Sequence, residues 1–253
     1  MLADRIRSMR SPHWLVLFGA VLSSWIVLYA MAVPPDLRDA SRVFGAEFWS
    51  DLCAVTPDLA GYGKLVLMWA LMSTAMMLPT TLPALAAYDD LGASGAETQP
   101  IALIAGFLTI WWGFSVLAAG LQMLLFRADL VSAFGDSRSS ALSASLLAMA
   151  GAYQFSALKE SCLSKCRAPV TFFMQHWSDG PAKMGLRLGA VCLGCCWALM
   201  ALAFVGGVMS LAFMGLATVI MILEKLPDIG RYISRPLGGV LLVAAGAVAL
   251  TGL

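Results

Sequence analysis

The chain has 253 residues, of which 60% are hydrophobic and 12% are charged, and its mean hydropathy is +0.83. A soluble domain carries about 25% charged residues, so this composition excludes an ordinary soluble domain and indicates an integral membrane protein. A formal net charge of +1 gives no reason to expect a nucleic acid or an acidic partner. The apolar stretches are long enough for helices, whereas strands of a membrane barrel need only about ten alternating residues.

The sequence therefore predicts a single integral membrane domain over residues 1-253, an all-α polytopic bundle of about seven transmembrane helices in the lipid bilayer. The predicted spans, in chain order, are about 13-33, 64-88, 101-126, 141-158, 184-206, 208-224 and 236-253. Residues 34-63 mix five acidic side chains with Phe44, Phe48 and Trp49. That mixture predicts an amphipathic segment on the outer membrane surface.

The distribution of lysine and arginine predicts the orientation, because positively charged loops stay in the cytoplasm. With the N-terminus inside, eleven of the 16 basic residues fall on the cytoplasmic side and five fall outside. The predicted topology is N-in and C-out. The first span follows a basic N-terminus as a signal peptide does, but Pro34 and Pro35 directly follow its end and make a poor cleavage site, so a retained helix is expected.

The second predicted span carries a ridge of methionines. Met68, Met72 and Met76 recur every four residues, which places them along one side of a helix. Such a ridge is more often packing than a metal site, because methionine fills gaps in apolar cores. Pro79 and Pro83 each remove a backbone donor within the same apolar run. Helices broken in this way often line a cavity, although a simple kink is the commoner outcome.

The fifth span carries the sequence Cys192-Leu-Gly-Cys195-Cys196-Trp197. At about 100° per residue, the three cysteines share one helix face, and Met200 extends that face by one turn. Thiolates with thioethers form the ligand set that selects Cu(I). The alternative is packing, because free cysteine behaves as a small hydrophobe and small residues favour close helix contacts in membranes.

The depths of the two sulfur clusters in the membrane are similar. A rise of about 1.5 Å per residue places Met72, Met76, Cys195 and Cys196 near the middle of a hydrocarbon core about 30 Å thick. This permits, without requiring, one mixed site of methionine and cysteine ligands between the second and fifth spans.

A third group of ligand types lies in the basic connection before the fifth span. Cys162 and Cys166 are four residues apart, close enough to chelate an ion from one helix, and His176 follows. The segment is predicted to be cytoplasmic, where thiols stay reduced, so it could load or unload an ion. The alternative is an interfacial amphipathic helix anchored by Phe172, Phe173 and Trp177, with His176 as a polar bystander.

These segments carry a resemblance to a known family. The matching residues lie at 68-83, 153-154, 158-159, 162-169, 176-177, 185-189, 192-200 and 224-225. In them the chain resembles the bacterial multi-pass proteins described as predicted metal-binding integral membrane proteins, a domain of unknown function. The resemblance implies metal binding in the bacterial inner membrane. It also implies a histidine at the position of Leu188, so an imidazole ligand expected from that family is missing here.

Enzyme activity is not expected. No aspartate, glutamate or histidine falls within the core of a predicted span, and intramembrane acids are what proton relays and hydrolytic dyads require. Nucleotide-binding motifs are absent from the sequence. Glycine pairs such as Gly185 and Gly189 indicate close helix packing.

The sequence as a whole predicts an inner-membrane protein that binds a thiophilic ion, most simply Cu(I), for transport or for delivery to a client metalloenzyme. The candidate ligands are Cys192, Cys195, Cys196, Met72, Met76, Met200, Cys162, Cys166 and His176. The alternative is a structural or assembly subunit of a membrane complex with no metal role. The sequence does not decide whether the ion is zinc instead of copper or whether a metallochaperone is the donor. It also leaves open the direction of transfer and whether the protein forms a homo-oligomer.

Overall fold

The structure, a computed structural model, describes residues 12–32, 56, 58–227 and 229–252. Within those residues it is built from helices, with one isolated β-bridge between Val131 and Ser137, so the predicted all-α class is confirmed. Most of the predicted outer segment 34-63 lies outside the described residues. Its last five residues belong to a helix that begins at Leu59 and is capped by Asp58.

Eleven α-helices are described. They are α1 (Pro12–Ala32), α2 (Leu59–Met77), α3 (Leu82–Ala93), α4 (Pro100–Arg127), α5 (Ser140–Tyr153), α6 (Ala157–Arg167), α7 (Pro169–His176), α8 (Pro181–Ala201), α9 (Ala203–Gly206), α10 (Leu211–Lys225) and α11 (Gly230–Thr251). Short 3₁₀ turns at Pro79–Thr81 and Trp177–Asp179 join α2 to α3 and α7 to α8.

Five helical segments are long and apolar enough to cross a membrane, namely α1, α2 with α3, α4, α8 with α9, and α11. The predicted span 141-158 is instead a bent pair, in which α5 and α6 meet at 61° and count together as a sixth candidate. The predicted span 208-224 corresponds to α10, which has 15 residues and is shorter than the about 20 that a full crossing needs. The total of seven spans and their orientation stay predictions.

The predicted break in the second span is present. α2 ends at Met77 because Pro79 cannot donate a backbone hydrogen bond, and a 3₁₀ turn follows over Pro79–Thr81. The hydroxyls of Thr80 and Thr81 donate to the carbonyls of Met77 and Leu78, both at 2.7 Å. The Leu78 carbonyl also accepts the backbone N–H of Thr81 at 3.0 Å, so the side chains and the 3₁₀ turn together satisfy carbonyls at the break.

Helix α4 is the centre of the bundle, since both α2 and α8 pack chiefly against it. Glycines allow the close crossing of α4 and α8. A side chain added at Gly185 would collide with the carbonyl of Leu103, and one added at Gly106 would collide with the carbonyl of Ala182. The predicted packing role of Gly185 is therefore confirmed, and this contact fixes the position of the helix that carries the three clustered cysteines.

Candidate metal centre

Three cysteines of α8 form a compact sulfur cluster in the core. Cys192, Cys195 and Cys196 are each 1% exposed, and their sulfurs all lie within 4.8 Å of one another. The Sγ atoms of Cys195 and Cys196 are 3.2 Å apart. Two sulfurs that each lie about 2.3 Å from one ion can be at most about 4.6 Å apart. The three sulfurs are therefore close enough to converge on one soft ion, with the sulfurs of Cys195 and Cys196 moving apart to receive it.

Helical geometry explains the cluster, because residues three and four positions apart project from the same side. The predicted common face of the three cysteines is confirmed. The thiol of Cys195 donates to the carbonyl of Cys192 at 3.0 Å, one helical turn back. That contact occupies the thiol proton while leaving sulfur lone pairs directed into the cluster.

Lys225, which is among the residues that carry the family resemblance but not among the candidate ligands, reaches the cluster from the end of α10. Its side-chain nitrogen Nζ donates to Cys192 Sγ at 3.0 Å and to Thr80 Oγ1 at 2.5 Å. Lys225 is 5% exposed and Thr80 is 4% exposed. The broken end of α2 thus contacts the cysteine site through a threonine and a lysine.

A cavity of about 10 Å³ lies beside Cys192 and Lys225. That space suffices for about one water molecule. Its remaining lining residues are Thr80, Thr81, Pro83, Ala84, Phe107, Cys166 and Leu188. Leu188 is therefore part of the site wall, at the position where the resemblance implies a histidine. Its alkyl side chain offers no ligand atom, so the ligands on this face are sulfur.

The cysteines of α6 lie against the same cluster. Cys166 lines the cavity beside Cys192 and interacts with the side chain of Cys195. The sulfur of Cys162 lies 2.6 Å from the point where a Cβ of Gly194 would be, so only glycine permits this approach. Both thiols are half-buried. The structure therefore places the second predicted cysteine group against the helix that carries the first, with Cys166 at the cluster and Cys162 beside Gly194.

Buried polar contacts hold α6 in this position. Lys159 Nζ lies 3.0 and 2.8 Å from the two carboxylate oxygens of Glu224, and both side chains are almost fully buried. The Nε of Arg167 donates to the Glu224 carbonyl at 2.9 Å. The hydroxyl of Tyr153 donates to the carbonyl of Gly194 on α8. These contacts connect α6 to α10, and the end of α5 to α8, on either side of the cysteines.

His176 lies apart from the cysteine cluster. Its Nδ1 is 2.8 Å from the Phe172 carbonyl, and its ring packs on the Phe172 ring with centroids 4.7 Å apart. Histidine, cysteine and acidic side chains can all ligate a metal ion. Among the described residues, the one group of at least three such side chains that lies close enough to hold an ion is formed by the three cysteines of α8. The role of His176 in ion exchange stays a prediction. The alternative that Phe172 anchors an interfacial helix is wrong, because that side chain is 3% exposed and belongs to the core.

The three candidate methionines are all in the core, with Met72, Met76 and Met200 at most 2% exposed. Met200 lies on α8 one turn after Cys196. Met72 and Met76 lie on α2, whose chief neighbour is α4 rather than α8. Direct contact between the methionine ridge and the cysteines stays a prediction, and the contact that the structure records from this part of the chain is made by Thr80 through Lys225.

A comparison with protein families matches residues 66–248 to the family model PpoB2, described as copper chaperone. The matched region contains every candidate ligand named above, from Met72 to Met200. Comparisons with curated proteins and with solved structures give no match.

Proposed function

Because this chain belongs to the PpoB2 copper chaperone family, we propose that it is a bacterial inner-membrane protein that binds Cu(I) at Cys192, Cys195 and Cys196 and delivers it to a client metalloenzyme. Copper is its cargo. Five helical segments long and apolar enough to cross a bilayer support the membrane location. Three sulfurs within 4.8 Å support the copper site, because soft thiolate ligands select Cu(I) over harder ions.

The five thiols offer a route by which the cargo enters and leaves. The α8 cysteines are sealed from solvent, whereas Cys162 and Cys166 are half-buried. An ion held first by Cys166 can pass to Cys195 and Cys192 by exchanging one thiolate at a time, so it never loses all of its ligands. Met72, Met76 and Met200 would serve as auxiliary thioether ligands, and a partner protein would dock on the α6 side.

The cysteine assignment is tested with the variant Cys195→Ser, Cys196→Ser. The parent, purified in detergent under reducing conditions, is expected to take up about one equivalent of Cu(I), and the double variant to lose most of it, since serine oxygen is a poor ligand for a soft ion. Competition against a chromophoric Cu(I) chelator measures the binding, and a parallel Zn(II) titration identifies the preferred ion.

The matched control is Cys53→Ser, which removes a cysteine that is distant in sequence from the five clustered ones. It should bind copper as the parent does. Equal copper content in the parent and the double variant would refute the site assignment. A purely structural role for the cysteines predicts instead that the double variant is less stable yet no different in copper content.

The proposed N-in topology is tested by single cysteines in two connections. Phe134→Cys lies between α4 and α5 and should react with a membrane-impermeant thiol reagent applied to intact spheroplasts. Glu97→Cys lies between α3 and α4 and should react only after the membrane is opened. Both positions are exposed, so burial in the protein does not limit either reaction. The reverse labelling pattern would invert the topology.

A further inference from the structure

We infer that Lys225 is a tethered counter-cation that holds the thiol site to a single Cu(I) ion, an inference that rests on the proposed copper function. Its Nζ lies 3.0 Å from Cys192 Sγ, in the position where a second cation would bind this sulfur from the cavity side. Thr80 Oγ1, at 2.5 Å, fixes the ammonium there. The lysine thus places its ammonium group directly against the metal site.

The charge of Lys225 belongs to the sulfur cluster and not to an ion pair with a carboxylate. The adjacent carboxylate, Glu224, directs both of its oxygens to Lys159. The hydrogen-bond partners of Nζ among the described residues are a sulfur and a hydroxyl. A buried ammonium is stable only beside compensating negative charge, and thiolate sulfur is the group in contact that can supply it.

Charge balance then decides how many ions the cluster holds. One Cu(I) bound by two of the three cysteines as thiolates, with the third kept as a neutral thiol, carries a net charge of −1, which the ammonium neutralises. Net charge is costly in an apolar interior, so this single-ion form is favoured. Without the ammonium, the neutral forms contain as many copper ions as thiolates. When such forms hold two or more ions, they require sulfurs that bridge between the ions, and the neighbouring thiols of α8 and α6 could supply those bridges.

The ammonium of Lys225 also opposes the binding of a second copper ion directly, by size and by charge. That ion would have to enter a cavity of about 10 Å³ beside the ammonium, where like charges repel more strongly than in water. A single ion on two thiolates is the form that a chaperone can pass on by ligand exchange, whereas a bridged cluster must be dismantled first. Lys225 therefore favours transferable copper over stored copper.

The experiment is a Cu(I) titration of purified reduced protein, with stoichiometry read by chelator competition and cluster formation read by the luminescence of shielded multinuclear copper-thiolate centres. The parent, Lys225→Arg and the exposed-lysine control Lys183→Gln should each bind one ion without luminescence. Lys225→Gln, which keeps a polar side chain of similar length but removes the charge, should bind two or more ions and luminesce.

One copper ion without luminescence in Lys225→Gln would overturn the inference and leave the proposed function standing. No copper in the parent would overturn the proposed function itself. X-ray absorption on the parent with excess copper provides a test that does not depend on folding of any variant. Sulfur ligands around a single copper with no copper-copper scattering support the inference, and copper-copper scattering refutes it.

Discussion

Glu224→Gln is expected to destabilise the protein by about 3 to 5 kcal/mol, because it leaves the ammonium of Lys159 buried without its carboxylate. In the parent the two side chains are 2% and 1% exposed and 2.8 Å apart. The measurement is the midpoint of thermal unfolding in detergent, which fluorescence-detected size-exclusion chromatography monitors. Loss of this contact should also release α6, so Cys162 should become more reactive to thiol reagents.

Asp129→Asn is the matched control for that substitution. Asp129 is 85% exposed and pairs with Arg138, which is 60% exposed, at 2.9 Å, and exposed pairs contribute about 0 to 1 kcal/mol. The double variant Lys159→Met, Glu224→Leu should recover much of the lost stability, since well-packed apolar residues often replace a buried pair without cost. If Glu224→Gln and Asp129→Asn proved equally mild, the Lys159–Glu224 pair would not be what positions α6.

Gly185→Ala should show the second large effect. The added methyl group collides with the backbone carbonyl of Leu103, which cannot move unless α4 and α8 separate. Overpacking of this kind costs about 1 to 3 kcal/mol, occasionally more. Because α8 carries the three clustered cysteines, copper affinity should fall together with thermal stability in the same preparation.

Gly113→Ala makes the same chemical change on α4, but its expected effect on stability has the opposite sign. Nothing lies within 4 Å of a Cβ at Gly113, and alanine is favoured over glycine within a helix by about 1 kcal/mol. The variant should be as stable as the parent or slightly more so. Equal losses in Gly185→Ala and Gly113→Ala would mean that the helix crossing is not limited by the glycine.

The helical class and most of the span positions could be predicted because they depend on local properties. Apolar length identifies α1, α4 and α8, and helical periodicity is enough to place Cys192, Cys195 and Cys196 on one face. The break after Met77 could also be predicted, since Pro79 lacks a backbone donor whatever surrounds it. None of these conclusions needs information about which helices are neighbours.

Lys225 could not be predicted as a site residue, because its role depends on tertiary packing. A lysine at the end of an apolar run ordinarily extends toward water, and here it turns inward since the opened end of α2 presents Thr80 to it. The bend of 61° between α5 and α6 has a similar origin. It brings Cys166 to the cavity, whereas the sequence indicated only that Cys162 and Cys166 could chelate together.

The site is assembled from distant parts of the chain, and this affects how the protein matures. Thr80 and Lys225 are 145 residues apart, and Cys166 and Cys192 come from helices inserted between them. A nascent chain therefore has the three cysteines of α8 before α10 docks, but it lacks Lys225 and the complete wall of the cavity until then. Once assembled, a ligand that binds only the native form stabilises it by mass action. Copper supply would then prolong the lifetime of correctly folded copies, and copper starvation would shorten it through faster proteolysis.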